Sequence, residues 1–320
     1  MRQDSTAALG HIVSKLDSIV SNVERVIIGK REAIELALCS VLCGGHVLIE
    51  DMPGVGKTSL VSAIAKSFGC SFRRIQFTPD ILPSDITGFS MYNQKSGEFE
   101  YRQGAIMAQI ILADEINRTS PKTQSSLLEA MEENQVTVDG KTYALPQPFI
   151  VFATQNPIEY LGTYPLPEAQ LDRFFMRISL GYPSAEEESN MLERFKDGSP
   201  LKTLGPVTNA QELVRLQELV TRLHVHPSVR EFITTIVRRT REDANVALGA
   251  SPRATICLFR AAQAWALYKG RDYVLPDDAV KMAVPVLEHR LVLKQEAKFK
   301  QATAAAVVER IVTGIEVPMK

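Results

Sequence analysis

"HVLIEDMPGVGKTS", residues 46–59, decides the fold. Residues 46–50 read as a short apolar strand, and the periodicity over 57–68 predicts a helix, with a glycine-bearing turn between them. Gly54 and Gly56 open backbone conformations closed to residues with a Cβ, so consecutive N–H groups can converge on phosphate oxygens. Lys57 is spaced to reach β- and γ-phosphates, and the Thr58 hydroxyl to hold Mg2+. The positive end of the helix beginning at Lys57 adds to the same anion site. The stretch thus follows G-x-x-x-x-G-K-[ST] except at the first glycine, where Asp51 stands. At the strand exit its side chain need not face the phosphates. A carboxylate about 8 Å from a phosphate charge costs about 0.5–2 kcal/mol at effective dielectrics between about 80 and 20. Contacts from Lys57 and the loop N–H groups, each worth about 1.5–3 kcal/mol, outweigh that. The expectation is a working site on Pro53, Gly54, Val55, Gly56, Lys57, Thr58 and Ser59, in which Asp51 is dispensable.

Outward from the loop, strands alternate with helices. Helices are predicted over 6–27, 31–43 and 121–133, and strands over 71–77, 108–115, 148–156 and 174–182. The strands are nearly continuous apolar runs, which argues for a parallel sheet covered on both faces. Two stretches interrupt the rhythm as β-hairpins, 88–104 with its loop at Asn93–Gly97, and 134–146 turning at Asp139-Gly140. Past Tyr182-Pro183-Ser184 the patterns become helical, broken by a Gly/Pro/Lys-rich stretch at 197–206. A nucleotide-binding α/β domain is therefore expected over 1–184 and an all-α domain over 185–320.

Three more stretches carry chemistry. "IILADE" (110–115) ends an apolar strand in an acidic pair that matches the Walker B pattern, with Asp114 as the Mg2+ partner and Glu115 activating the attacking water. "FATQNP" (152–157) ends the next strand at Asn156, placed to hydrogen-bond a γ-phosphate or that water. Arg173 in "PEAQLDRF" (167–174) and Arg253 in "GASPRAT" (249–255) are of the residue type that stabilises the charge of a transferring phosphoryl group.

In order, "GVGKT", "IILADEINR", "ATQNP", "EAQLDRF" and "SPRA" resemble the MoxR family of AAA+ ATPases, over about residues 24–295. The hairpins fit that resemblance as the helix-2 insert and the hairpin before sensor 1, features of a group that includes magnesium chelatase ATPase subunits. The resemblance implies a three-layer αβα P-loop AAA+ domain followed by a helical lid, assembled into a hexameric ring that hydrolyses ATP with Mg2+. It implies Walker A at Lys57 and Thr58, Walker B at Asp114 and Glu115, and sensor 1 at Asn156. It makes Arg173 an arginine finger acting in trans and Arg253 a sensor 2 acting in cis, and it packs Ile28 and Gly29 of "VIIGK" on adenine. Chaperone-like remodelling of client proteins is implied too, often with von Willebrand factor A domain partners. A metal-chelatase-type motor subunit, a DNA-linked motor and a nucleotide sensor without turnover remain alternatives.

Composition narrows this further. At 320 residues, 45% apolar, the chain can bury a core in each of two domains, and a net charge of -1 gives no bulk pull toward nucleic acid or anionic membrane. No segment has the roughly 18–20 apolar residues of a membrane span. The four cysteines (Cys39, Cys43, Cys70 and Cys257) include no CxxC pair, which fits a reducing cytoplasm. Phe89, Tyr92 and Phe99 of the first hairpin either grip a polypeptide or pack on their own domain.

Overall fold

A computed structural model describes residues 2–157, 162–196 and 198–318. In chain order its first strands are β1 (Val47–Glu50), β2 (Phe72–Gln76), β3 (Gly88–Asn93), β4 (Glu98–Gln103), β5 (Ile110–Asp114) and β6 (Gln135–Val138). They are followed by β7 (Lys141–Ala144), β8 (Ile150–Gln155), β9 (Met176–Ile178), β10 (Val246–Leu248) and β11 (Val292–Leu293). Helices α1 (Arg2–Glu24), α2 (Arg31–Leu42), α3 (Lys57–Ser67), α4 (Pro83–Thr87), α5 (Pro121–Glu133), α6 (Glu168–Leu171) and α7 (Ala185–Phe195) accompany the sheet. The rest of the chain is built on α8 (Ala210–Arg222), α9 (Pro227–Glu242), α10 (Pro252–Tyr268), α11 (Pro276–Leu287), α12 (Gln295–Phe299) and α13 (Ala304–Thr313).

Five strands form one sheet in the order β2-β5-β8-β1-β9, and each of its pairings is parallel. The unbroken apolar strands split by alternation into two cores. Val47, Ile49, Ile110, Leu112, Ile150 and Phe152 face α1, α2 and α3, while Leu48, Ile111, Ala113, Val151 and Ala153 face α5 and Phe174. Phe68, Phe152 and Phe174 are fully buried, each worth about 1.5–3 kcal/mol against exposure. The first core runs on without a break into α8–α13. The fold is thus the expected αβα sheet with a helical C-terminal region.

Two elements differ from the sequence reading. The strand over 174–182 is only Met176–Ile178, because the N–H groups of Leu180 and Gly181 turn to the Asp51 carboxylate instead of extending the ladder. The C-terminal region is not purely helical, since β10 and β11 pair as an antiparallel ribbon.

Both hairpins form. Asp139 (φ 48°) and Gly140 (φ 77°) make the tight turn of β6–β7. Tyr101 of β4 stacks on Tyr143 of β7, with ring centroids 3.9 Å apart and planes 15° from parallel, so the hairpins brace each other. Phe89, Tyr92 and Phe99 are 49%, 53% and 69% exposed, and Tyr92 and Phe99 pack on each other with ring centroids 5.4 Å apart, so each keeps apolar surface open to solvent.

Candidate active site

The loop after β1 turns through Gly54 (φ 85°) and Gly56 (φ 94°), both in the left-handed region that favours glycine. Gly56 caps α3, so the free N–H groups of the first turn open toward the space over the loop. Lys57 Nζ donates to the Asp51 carbonyl at 2.7 Å. Burial lowers its pKa, opposed by the nearby carboxylates of Asp114, Asp51 and Glu115. The ammonium therefore stands between the loop and the acidic pair, with Thr58 next to it on α3.

Asp114 is 7% exposed at the end of β5. Thr154 Oγ1 donates to its Oδ1 at 2.6 Å, and Arg74 Nε and Nη2 donate to its Oδ2 at 3.0 and 2.7 Å. Glu115 adopts a left-handed conformation (φ 58°, ψ 49°), uncommon for a residue with a Cβ. Its N–H donates to Thr154 Oγ1 at 2.8 Å, and Gln76 Nε2 donates to its Oε2 at 2.7 Å. Arg118 Nε lies 3.4 Å from the same oxygen. Thus Thr154 of β8 holds the Asp114 carboxylate and the Glu115 backbone, while Arg74 and Gln76 of β2 hold the two side chains. Asp51 N–H donates to Gln155 O at 3.3 Å, which sets the buried Asn156 beside the base of the loop.

A cavity next to the loop is lined by Ile27, Ile28, Gly54, Val55 and Gly56 on one side and by Pro183, Met191 and Phe195 on the other. Gly29 (φ 72°) sits here in the left-handed region that favours glycine, beside the Glu187 side chain. Lys30 Nζ donates to Tyr182 O at 2.8 Å and lies 3.7 Å from Glu187 Oε2, fastening the start of α7 over this cavity. An apolar slot beside a phosphate loop suits a planar base.

The two arginines sit elsewhere. Arg173 Nη2 lies 3.1 Å from Glu132 Oε2, and Arg253 Nη1 lies 3.3 Å from Oε1 of the same residue. Glu132 ends α5 beside Met131, whose carbonyl meets the His46 ring before β1 at 2.9 Å. That is the N-terminal edge of the sheet, whereas the loop follows its C-terminal edge. Along the lid, α10 runs beside α2: Cys43, past the end of α2, meets the Arg260 carbonyl, while Arg31, at its start, meets Tyr268. α2 has 12 residues and so spans about 18 Å. Arg253, at the far end of α10, does not face its own chain's loop, so the expected action in cis does not fit this arrangement.

Among the described residues no group of three or more His, Cys, Asp or Glu could hold a metal unaided. Thr58 and Asp114 beside a phosphate loop nevertheless suit Mg2+, which keeps waters and substrate phosphates among its ligands. The donor set fits Mg·ATP.

Comparison with known proteins agrees. Residues 46–176 match the model of the ATPase family associated with various cellular activities (AAA), and residues 238–311 match the AAA lid domain. Chaperone MoxR1 of Mycobacterium tuberculosis is 41% identical over 96% of this chain and 83% of its own, and Protein MoxR of Paracoccus denitrificans is 31% identical over 92% and 93%. The chain belongs to the MoxR family of AAA+ ATPases. The uncharacterized protein YeaC of Bacillus subtilis is 54% identical over 95% of both chains. A crystal structure of a candidate ATPase from Cytophaga hutchinsonii superposes with a TM-score of 0.90 at 36% identity, covering 99% of this chain and 98% of that one. This MoxR-family chain is an ATPase, and its AAA domain implies nucleotide binding.

Sequence reasoning missed several residues of the MoxR site. Arg74 and Gln76 carried one signal, two polar residues at alternate positions of a sheet strand, and register places Gln76 opposite Asp114. Glu132 and Thr154 carried none. Nor did Arg290, whose buried guanidinium holds Asp172 Oδ1 at 2.8 Å and the carbonyl of Phe174 at 2.5 Å, fixing the backbone on both sides of Arg173.

Proposed function

We propose that this chain hydrolyses Mg·ATP at sites shared between neighbouring copies in a closed ring, expected to be a hexamer, and uses the cycle to remodel client proteins. The observation that carries the reading is the placement of Arg173 and Arg253 together at the sheet edge opposite their own phosphate loop. Two arginines that cannot serve their own nucleotide are disposed to serve a neighbour's, so Arg253 joins Arg173 in acting in trans.

Within one site the N–H groups of residues 54–58 and Lys57 cradle the β- and γ-phosphates. Ile28 and Gly29, facing Met191 and Phe195, enclose the base. Mg2+, which Thr58 and Asp114 would hold, would supply neutralisation of phosphate charge. Glu115 orients a water and takes its proton as the oxygen attacks the γ-phosphorus and the bond to ADP breaks. Asn156 holds the γ-phosphate or that water, and the neighbour's Arg173 and Arg253 offset the charge building on the phosphoryl oxygens. Arginines supplied in trans are typically worth about 10³–10⁵ in kcat, so an isolated copy should bind ATP and turn it over slowly.

The likeness to Chaperone MoxR1 supports a chaperone-type role. The exposed aromatic hairpin favours a polypeptide client over a DNA-linked motor, and the family resemblance offers von Willebrand factor A domain proteins as clients. The four free thiols, two of them buried, suit the cytoplasm. A metal-chelatase-type motor would use the same nucleotide residues and differ only in partner.

Mixing two inactive variants tests the shared site. Arg173→Ala and Glu115→Gln chains should each bind ATP without turnover, and together they should recover activity at mixed interfaces. No recovery over a range of mixing ratios, with assembly intact, would refute action in trans. An affinity capture with Glu115→Gln in ATP then reads the client class.

A further inference from the structure

Asp51 replaces a glycine of the usual phosphate-loop pattern, and every polar group it has is engaged. Its N–H donates to Gln155 O, and its carbonyl accepts from Lys57 Nζ. The residue as a whole is only 6% exposed. Oδ1 accepts from Met52 N–H at 3.0 Å, while Oδ2 accepts from Leu180 N–H at 2.5 Å, Gly181 N–H at 2.8 Å and Ser179 Oγ at 3.1 Å. A glycine could make only the two backbone contacts.

The far end of this link leads to the base cavity. After Gly181, the Tyr182 carbonyl accepts from Lys30, Pro183 lines the cavity, and Ser184 caps α7 with its Glu187 partner. From that cap, Glu187, Met191 and Phe195 follow at intervals of four along one face of α7, which puts them over the loop.

We infer that Asp51 is a positioning residue that ties the phosphate loop to the segment opening α7, so that the phosphate cradle and the cover over the base hold a single spacing. This rests on reading residues 54–58 as the phosphate loop. Removing the carboxylate leaves Lys57 on the carbonyl of residue 51 and strands only Met52 N–H within the loop, but it frees residues 179–184, so the two halves of the nucleotide must be gripped by parts that no longer share a frame. The loss should fall on affinity, while chemistry at saturating ATP proceeds on an unchanged Glu115.

The test compares wild type, Asp51→Gly, Asp51→Asn, Ser179→Ala and Lys57→Ala by calorimetric titration with ADP, ATPase kinetics and backbone hydrogen exchange over residues 179–195. Asp51→Gly should weaken ADP binding by about tenfold or more, a change of roughly 1.4 kcal/mol. KM should rise in step with kcat held within about twofold, the pattern of lost uniform binding. Asp51→Asn, which keeps one oxygen acceptor, should fall between Asp51→Gly and wild type. Ser179→Ala, which loses one bond of the four, should shift affinity by no more than about threefold. ADP should slow exchange over 185–195 in wild type and lose that effect in Asp51→Gly. Should Asp51→Gly fail to fold, Asp51→Asn and Ser179→Ala carry the same comparison. Affinity within twofold of wild type in the folded Asp51 variants, beside a Lys57→Ala that cannot bind, would overturn the proposal and leave the loop reading standing. So would a drop in kcat at unchanged KM, the signature of lost folded enzyme alone. Normal binding by Lys57→Ala would instead defeat the loop reading itself.

Discussion

Thr154→Val isolates one hydroxyl that holds the acidic pair. Thr154 is fully buried in β8. Its Oγ1 donates to Asp114 Oδ1 at 2.6 Å and accepts from Glu115 N–H at 2.8 Å. Valine keeps the shape and removes both bonds. Losing a bond to a charged acceptor costs about 1.5–3 kcal/mol, and stranding a buried N–H costs about 1–3 kcal/mol. Arg74 still serves the other Asp114 oxygen, and the added methyl recovers part of the loss, so the net destabilisation should be about 2–4 kcal/mol. At about 2.1 cal/mol/K per residue the unfolding entropy of this chain makes each kcal/mol worth about 1.5 °C, a fall in Tm of about 3–6 °C. Catalysis should suffer more. Glu115 holds a left-handed conformation that its pinned N–H helps to maintain, and a release that misplaces the carboxylate by 1 Å costs about 10²-fold. Calorimetric melting and steady-state kinetics, with Thr154→Ser beside Thr154→Val, make the assay. Serine keeps both bonds and should retain kcat within about threefold while losing about 1 kcal/mol for its methyl. A Thr154→Val chain with wild-type kcat, or a Thr154→Ser chain as slow as Thr154→Val, would refute the assignment to the hydroxyl.

Gln76→Ala should lower kcat by about tenfold or more at unchanged ADP affinity, because it releases the Glu115 side chain without touching the loop; equal losses in both, by titration and rate, would contradict this. Met191→Ala and Phe195→Ala strip apolar wall from the base cavity and should each weaken ADP binding by about 3–20-fold, while competition by tripolyphosphate, which has no base, stays unchanged. Burial lowers the His46 pKa to about 4, below its unfolded value of about 6.5. The unfolded chain then binds the proton first, so the stability from neutral His46 is complete above pH 6.5 and drains away as pH falls toward 4. The residue is half-buried, which makes about 1.4 kcal/mol per pH unit an upper bound on the slope. His46→Gln should flatten urea-derived stability between pH 6.5 and 4 by up to that amount, and an unaltered slope would assign it elsewhere, first to His289, which burial shifts in the same direction.

What was legible in the sequence follows the range of the interactions involved. The loop, the acidic strand end, α5 and both hairpins are written in contiguous residues, and the structure places them within a residue or two of their expected bounds. Asp51 illustrates the limit. Its place at the strand exit was readable, and so was its turn away from the phosphates. The segment it grips lies 128–130 residues further on, and nothing near position 51 could disclose that partner, so a tether passed for a dispensable substitution. The same holds for Arg253. "SPRA" reveals a capped helix beginning with an arginine, but which end of α10 lies near the loop depends on how α10 crosses α2.

That crossing gives the C-terminal region two points of purchase, and the proposed ring makes both matter. On one side α7 covers the chain's own base cavity through Met191, Phe195 and the Lys30–Glu187 pair. On the other, Ser251 Oγ meets Asp172 Oδ2 at 2.8 Å, and Arg290 holds Asp172 and the carbonyls of Phe174 and Phe175 around Arg173. Between the two, Arg177 of β9 bridges Glu50, next to the loop, and Glu288 after α11. A shift of the C-terminal helices caused by nucleotide in one copy would therefore carry the segment bearing Arg173, which in the proposed ring would serve the neighbour. Coupling of this kind needs a packed element whose equilibrium both sites bias, and the C-terminal region is bonded to both. In the proposed ring, successive copies would then fire in a dependent order, because each chain's occupancy would set the position of the arginines it lends.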